Sequence, residues 1–233
     1  MIQDIAATYE NTVEWHDALY NEFTEKVNTD TILSAHKAYG DHSIYGDRPF
    51  HQLWNLLVQE MPKSFKFLEI GVFKGQILSL IGMLAAQYNK NAVVVGISPF
   101  DGAGDKYSIY PSLPYRDIVM NTCTHFGVTP TLITGRSSSL SCVGQVQDYG
   151  AFDLIYIDGS HDYDDVIFDI LTYGPLVSSG GYLVMDDSST DRNMSAWNGH
   201  EEVGKAVQKY LDVPDSGFTH KFALGHIRLF QRV

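Results

Sequence analysis

The feature that most restricts the fold of this chain is a series of five short, nearly uninterrupted apolar runs, at residues 66–70, 92–97, 131–134, 153–157 and 181–185. Runs of that length, rich in Val, Ile, Leu, Phe and Tyr and without polar alternation, are what strands buried on both faces require. Helical spacing separates them, as in Ile77, Leu80, Ile81 and Leu84, or Val166, Ile167, Ile170 and Leu171. Repeated strand-helix-strand units predict an α/β fold with a mostly parallel sheet and right-handed crossovers. The pattern then changes. Val203, Ala206, Val207, Tyr210 and Leu211 mark one more amphipathic helix, and residues 219–224 and 226–231, separated by Gly225, predict a terminal antiparallel hairpin. Residues 1–60 carry helical periodicity in Ile5, Tyr9, Val13, Leu53, Leu56 and Leu57 and are expected to form an amino-terminal helical extension capping the sheet; residues 61–233 form the main domain.

At 233 residues the chain has length enough for one such domain with an extension. The formal net charge of −12 repels phosphate backbones, so a nucleic-acid substrate is disfavoured. There is no apolar run near the ~20 residues that span a bilayer, which argues against a membrane protein. The first residues lack the basic and apolar regions of a secretory signal, so a cytoplasmic location is expected. Cys123 and Cys142 lack metal-type spacing and read as packing residues.

In open parallel sheets ligands bind beyond the carboxyl ends of the strands. The first such turn reads Glu69-Ile70-Gly71-Val72-Phe73-Lys74-Gly75. A dinucleotide site needs a third glycine where Phe73 stands, because a pyrophosphate must approach the backbone. S-adenosylmethionine has no pyrophosphate, and Gly71 and Gly75 suffice for it, with Glu69 available to the ammonium group. A Gly-x-x-x-Gly turn after any strand also serves as a tight turn alone. The second strand normally ends in an acid for the ribose; here it ends in Ser98, so either Asp101 reaches back or Ser98 and ordered water take its place, while Asp101 equally suits a plain turn. Ser137 and Ser138 fit either an adenine contact or the start of the next helix.

The most informative stretch is Ile157-Asp158-Gly159-Ser160-His161-Asp162-Tyr163, with Asp186-Asp187 ending the fifth strand. Asp158, Asp186 and Asp187 are expected to converge at one end of the sheet. Converging carboxylates need a proton or a cation among them, and oxygen ligands suit Mg²⁺ or another hard divalent ion; the alternative is that one or two of them cap helices. His161 is three residues beyond Asp158, where a neutral imidazole is placed to accept a proton.

These segments resemble the metal-dependent O-methyltransferases of class I, in particular the macrolide sugar O-methyltransferase and cephalosporin hydroxylase-like group. The likeness covers residues 35–231 and is most specific from Ile157 to Tyr163, at Pro175-Leu176 and from Gly180 to Asp187. It implies a Rossmann-like seven-stranded sheet and S-adenosylmethionine as cofactor. By it, Asp158, Asp186 and Asp187 fall on metal-ligand positions, His161 on that of the general base, and Glu69, Gly71 and Ser137 on cofactor contacts, to which Gly75, Ser98, Asp101 and Asp158 are added as candidates. Tyr39, His42 and Tyr45 match a segment that helps to enclose the site in the sugar-modifying group, or else belong to an aromatic loop that only packs on the core, and Trp197 suits a substrate-facing loop, an interface or a plain lid contact. The expected reaction is methyl transfer to a hydroxyl of a small molecule, a sugar or glycoside first and a catechol-like phenol second. A nicotinamide oxidoreductase and a non-catalytic cofactor- or glycan-binding subunit are the rival readings, and a homo-oligomer is compatible with the acidic surface and the helical extension.

Overall fold

A computed structural model describes residues 1–39, 49–102, 104–108, 110–189 and 199–233. His42, Tyr45 and Trp197 lie outside the described residues. The strands are β1 (Ser64–Ile70), β2 (Asn91–Ser98), β3 (Thr131–Thr134), β4 (Phe152–Ile157), β5 (Val177–Met185), β6 (Phe218–Leu224) and β7 (Ile227–Arg232). They form one seven-stranded sheet in the order β3-β2-β1-β4-β5-β7-β6. The five sequence-predicted runs pair in parallel, and the terminal hairpin adds antiparallel strands with β7 against β5. The expected mostly parallel α/β sheet with a terminal antiparallel hairpin is therefore the observed fold. The strand order reverses at β1, whose neighbours are β2 and β4, so a crevice opens at their carboxyl ends, the place where such sheets bind ligands.

Helices cover both faces. The helices α1 (Ile2–Ala7), α2 (Val13–Thr29), α3 (Thr31–Lys37) and α4 (Pro49–Glu60) precede β1; α5 (Gln76–Gln87), α6 (Tyr115–His125), α7 (Leu140–Gln147), α8 (Tyr163–Tyr173) and α9 (Glu201–Tyr210) follow it. One apolar core unites the amino-terminal helices and α5 with one face of the sheet; the other packs α7, α8 and α9 on the opposite face. The amino-terminal helices pack as part of the first core: Trp54 of α4 is fully buried and meets Phe67 of β1 and Tyr156 of β4 edge-on. Cys123 and Cys142 are buried free thiols, in accord with packing roles. Among the described residues no helix is long and apolar enough to cross a membrane.

Candidate active site

The turn after β1 is shaped by close backbone approach. Gly71 has φ +97°, and a Cβ there would sit 1.7 Å from the carbonyl oxygen of Asp158. Its N–H donates to Ile97 O at 3.0 Å, and Asp158 N–H donates to Ile70 O at 2.8 Å, so the ends of β1, β2 and β4 are locked together. Gly75 takes φ +81° as the residue before α5.

Above these ends lies a cavity of about 410 Å³, within the size range of small-molecule sites. Gly71, Ser98, Ser137, Asp158 and His161 line it. Phe73, Phe100, Tyr110 and Tyr115 supply aromatic wall that sequence reasoning did not single out. Four candidates stand off this wall. Asp101 is exposed on the turn, and Gly75 packs towards Val119 of α6. Tyr39 stacks on His125 with ring centroids 4.1 Å apart. Glu69 is buried, accepts a hydrogen bond from the Leu78 backbone, and keeps its other carboxylate oxygen without a partner. Desolvation lifts its pKa to about 8, with the negative charge of Asp186 adding to the effect. Ser137 and Ser138 do not cap α7; that role falls to Ser139, which accepts from Cys142 N–H. Below the cavity, Asp169 of α8 is buried beside Gly159 and hydrogen-bonds the Ser137 side chain.

Asp158 adjoins Asp186 and Asp187 at the strand ends, while the described groups whose ligand atoms all lie within 4.8 Å of one another are Asp186, Asp187 and His226, and His161, Asp187 and His200. Asp158 follows β4, Asp186 and Asp187 follow β5, and Asp186 N–H donates to Ile157 O at 2.9 Å, which fixes the two strand ends side by side. Burial pushes the Asp158 pKa well up, helped by the charge of Asp186 and a hydrogen bond to it. Burial opposes ionisation of Asp186 too, but the neighbouring His226 imidazole and hydrogen bonds hold its pKa below the ordinary carboxylate value. Two carboxyl groups so placed titrate as a pair, and their mutual charge disfavours ionising both. The Tyr156 hydroxyl donates to Asp158 Oδ2 at 3.1 Å. Asp187 is held in the left-handed region at φ +46°, a conformation Asp adopts more readily than most residues, and its carbonyl receives the His200 N–H at 2.8 Å.

His161, read from the sequence as an imidazole placed to accept a proton, lies between two carboxylates. Its Nδ1 is 2.7 Å from Asp105 Oδ2, its Nε2 is 2.9 Å from Asp187 Oδ2, and its backbone N–H donates to the same Asp105 oxygen at 2.6 Å. Burial disfavours the charged ring, but the Asp187 and Asp105 carboxylates outweigh it and raise the pKa. Asp105 and His226 were missed in the sequence because each reaches the cluster from a distant turn, with no local motif around it.

The chain therefore presents a cavity at the switch point of a parallel sheet, flanked by a buried carboxylate cluster. A family model described as a methyltransferase domain matches residues 68–188, more than half of the chain. The chain belongs to the methyltransferase-domain family. The match runs from β1 through the turn after β5, and so includes every residue of this methyltransferase's cavity wall and its three converging carboxylates. Over 140 residues the methyltransferase is 30% identical to an uncharacterized protein of Acanthamoeba polyphaga mimivirus, covering 59% of this chain and about 58% of that relative's length. Among solved structures it resembles the cofactor-bound Rv0187 from MTB, with a TM-score of 0.61 at 16% identity over 96% of this chain and 99% of that one. It also resembles an O-methyltransferase from Bacillus cereus in complex with SAH, with a TM-score of 0.57 at 15% identity over 100% of both chains. CalS11, a TDP-rhamnose 3'-O-methyltransferase of calicheamicin biosynthesis, gives a TM-score of 0.56 at 15% identity over 98% of this chain and 99% of that one. These likenesses concern the fold.

Proposed function

We propose that this methyltransferase transfers the methyl group of S-adenosylmethionine to a hydroxyl of a small molecule with the assistance of a divalent cation, Mg²⁺ in the first instance. One observation carries the reading: Asp158 and His161 line the cofactor-sized cavity and at the same time belong to the carboxylate cluster, so cofactor and cation would meet at one edge. The Gly71 turn leaves backbone rather than side chain against the cavity, as close cofactor contact requires. Among the wall residues with hydroxyls, Ser98 and Ser137 would serve the ribose and adenine. The buried Asp158–Asp186 pair, in which burial and mutual charge disfavour ionising both acids, suits a cation between them, with Asp187 as the third ligand.

When bound, S-adenosylmethionine supplies the electrophilic methyl group, and the cation lowers the pKa of the acceptor hydroxyl. The chain's own contribution is placement and proton management. Asp105 fixes the His161 ring through Nδ1 and the backbone N–H, so Nε2 is the nitrogen turned towards Asp187 and the reacting edge. With Asp187 engaged by the cation, His161 Nε2 would be open to take up the acceptor's hydroxyl proton. Aromatic walls from Phe73, Phe100, Tyr110 and Tyr115 exclude water and help to hold nucleophile and methyl group in line. The acceptor we favour is a vicinal diol of a sugar or glycoside. The resemblance of the Asp158–Asp187 region to sugar-modifying enzymes supports it, as does the fold shared with CalS11. A catechol-like phenol is the second choice. His42, Tyr45 and Trp197 remain candidates for acceptor contacts.

Calorimetric titration with S-adenosylhomocysteine, in Mg²⁺ and again in EDTA, tests this without knowledge of the acceptor. Micromolar binding is expected. Absence of binding in both conditions would overturn the cofactor assignment.

A further inference from the structure

The turn between β6 and β7 brings a group to the carboxylates that the proposed Asp158, Asp186 and Asp187 ligand set does not contain. Gly225 and His226 form this turn, closed by the Leu224–Ile227 pair. The His226 carbonyl accepts N–H bonds from Ser188 at 2.9 Å and Ser189 at 3.0 Å, which pins the turn to the residues directly after Asp187. His226 Nε2 thereby lies 3.1 Å from Asp186 Oδ1. One ligand atom from each of Asp186, Asp187 and His226 falls within 4.8 Å of the others.

The approach has the spacing of an ion pair and also that of two ligands of one ion. Asp186 Oδ1 is buried, and the His226 imidazole nitrogen sits at contact distance from it. Two ligand atoms aimed at a common third point have that relationship. Cis ligands bonded at ~2.1–2.2 Å and right angles are ~3.0–3.1 Å apart, the separation found here. The neighbouring group of His161, Asp187 and His200 offers a second set of ligand atoms within 4.8 Å, but there His161 is already in hydrogen-bond geometry with carboxylates on both ring nitrogens.

We propose that His226 is a direct ligand of the divalent cation, forming with Asp186 and Asp187 a set of one nitrogen and two carboxylates that selects a first-row transition ion over Mg²⁺. This rests on the cation-assisted reading above and refines which ion and which residues it uses. Imidazole nitrogen suits Mn²⁺, Co²⁺, Ni²⁺ and Zn²⁺, whereas Mg²⁺ favours oxygen and keeps much of its water.

The test is metal binding by the full chain, independent of turnover. Calorimetry is run with Co²⁺, Mn²⁺ and Mg²⁺ on the chelator-stripped protein, and electron spin echo spectra of the Mn²⁺ form are recorded for ¹⁴N modulation. The unsubstituted protein should bind Co²⁺ at least ~10-fold more tightly than Mg²⁺ and show nitrogen coupling. His226→Gln and His226→Phe should each lose at least ~10-fold in Co²⁺ affinity together with the nitrogen coupling, while His200→Gln retains both. The phenylalanine variant keeps the edge-on ring contact with Phe50, 4.9 Å between centroids, should the polar variant fail to fold. Coupling that survives in both His226 variants and disappears in His200→Gln would overturn the proposal in favour of the other histidine group. Mn²⁺ bound with no nitrogen coupling would overturn it while leaving a carboxylate cation site intact. Binding of none of the three ions would defeat the cation reading itself, whereas S-adenosylhomocysteine titration in EDTA would still report on the methyltransferase assignment.

Discussion

Asp105 Oδ2 accepts two hydrogen bonds from His161, one from its backbone N–H at 2.6 Å and one from Nδ1 at 2.7 Å. A single carboxylate oxygen thus sets both where the residue sits and which ring nitrogen faces the cluster. Loss of the imidazole in His161→Ala should cut turnover by ~10²–10⁴-fold, the range for a positioned general base. Asp105→Asn should lower kcat in the same direction but less, and neither change should move the dissociation constant of S-adenosylhomocysteine by more than ~3-fold. Steady-state kinetics beside calorimetry checks this; an Asp105→Asn enzyme with full kcat would remove Asp105 from the proton pathway.

Gly71→Ala is predicted to be among the most damaging small substitutions in the chain. Its backbone lies at φ +97°, and the added methyl would fall 1.7 Å from the Asp158 carbonyl oxygen, which belongs to the rigid end of β4. We expect a loss of more than ~3 kcal/mol in denaturant unfolding, or failure to fold. A variant of normal stability would show that the β1 turn is not held as described.

Asp169 predicts a pH dependence of stability. Burial lifts its pKa to about 7, against ~3.9 for an unperturbed aspartate. Because the folded-state value is the higher one, the native state holds this proton longer than the unfolded chain does. The stability it supports is fully present below pH ~3.9 and declines as pH rises towards 7. Asp169→Asn imitates the neutral group and should flatten that decline, so that chemical unfolding at pH 8 finds the variant more stable than the parent. A variant less stable than the parent at pH 8 would contradict an aspartate buried at this energetic cost.

The parts of the molecule legible in the sequence were those written in local patterns. The apolar runs gave the five parallel strands because a strand covered on both faces cannot tolerate polar alternation, as the buried Phe67 to Ile70 of β1 shows. Asp158, Asp186 and Asp187 were legible because strand ends at a switch point place their next residues together. Glu69 reads as cofactor-facing because it ends the motif strand; in the structure it is buried and accepts from the Leu78 backbone of α5. Asp105 and His226 were not legible. Asp105 sits in a loop that comes back 56 residues away onto His161, and His226 reaches Asp186 only because β7, and not β6, lies against β5. Such long-range pairings are decided by sheet topology, which leaves no periodic trace around either residue.

The antiparallel pairing of β7 with β5 has a consequence for the order of assembly. Residues 70–165 build the whole cavity wall through successive strand-helix units, but the imidazole beside Asp186 arrives only when the hairpin zips onto the sheet. Docking the hairpin therefore sets the His226 imidazole, whose pKa Asp186 raises, against the strand-end acids. Hairpin closure and the charge state of the acids are thus thermodynamically linked: whatever neutralises the acids beforehand weakens the hairpin's incentive to dock, and a frayed hairpin weakens their hold on charge.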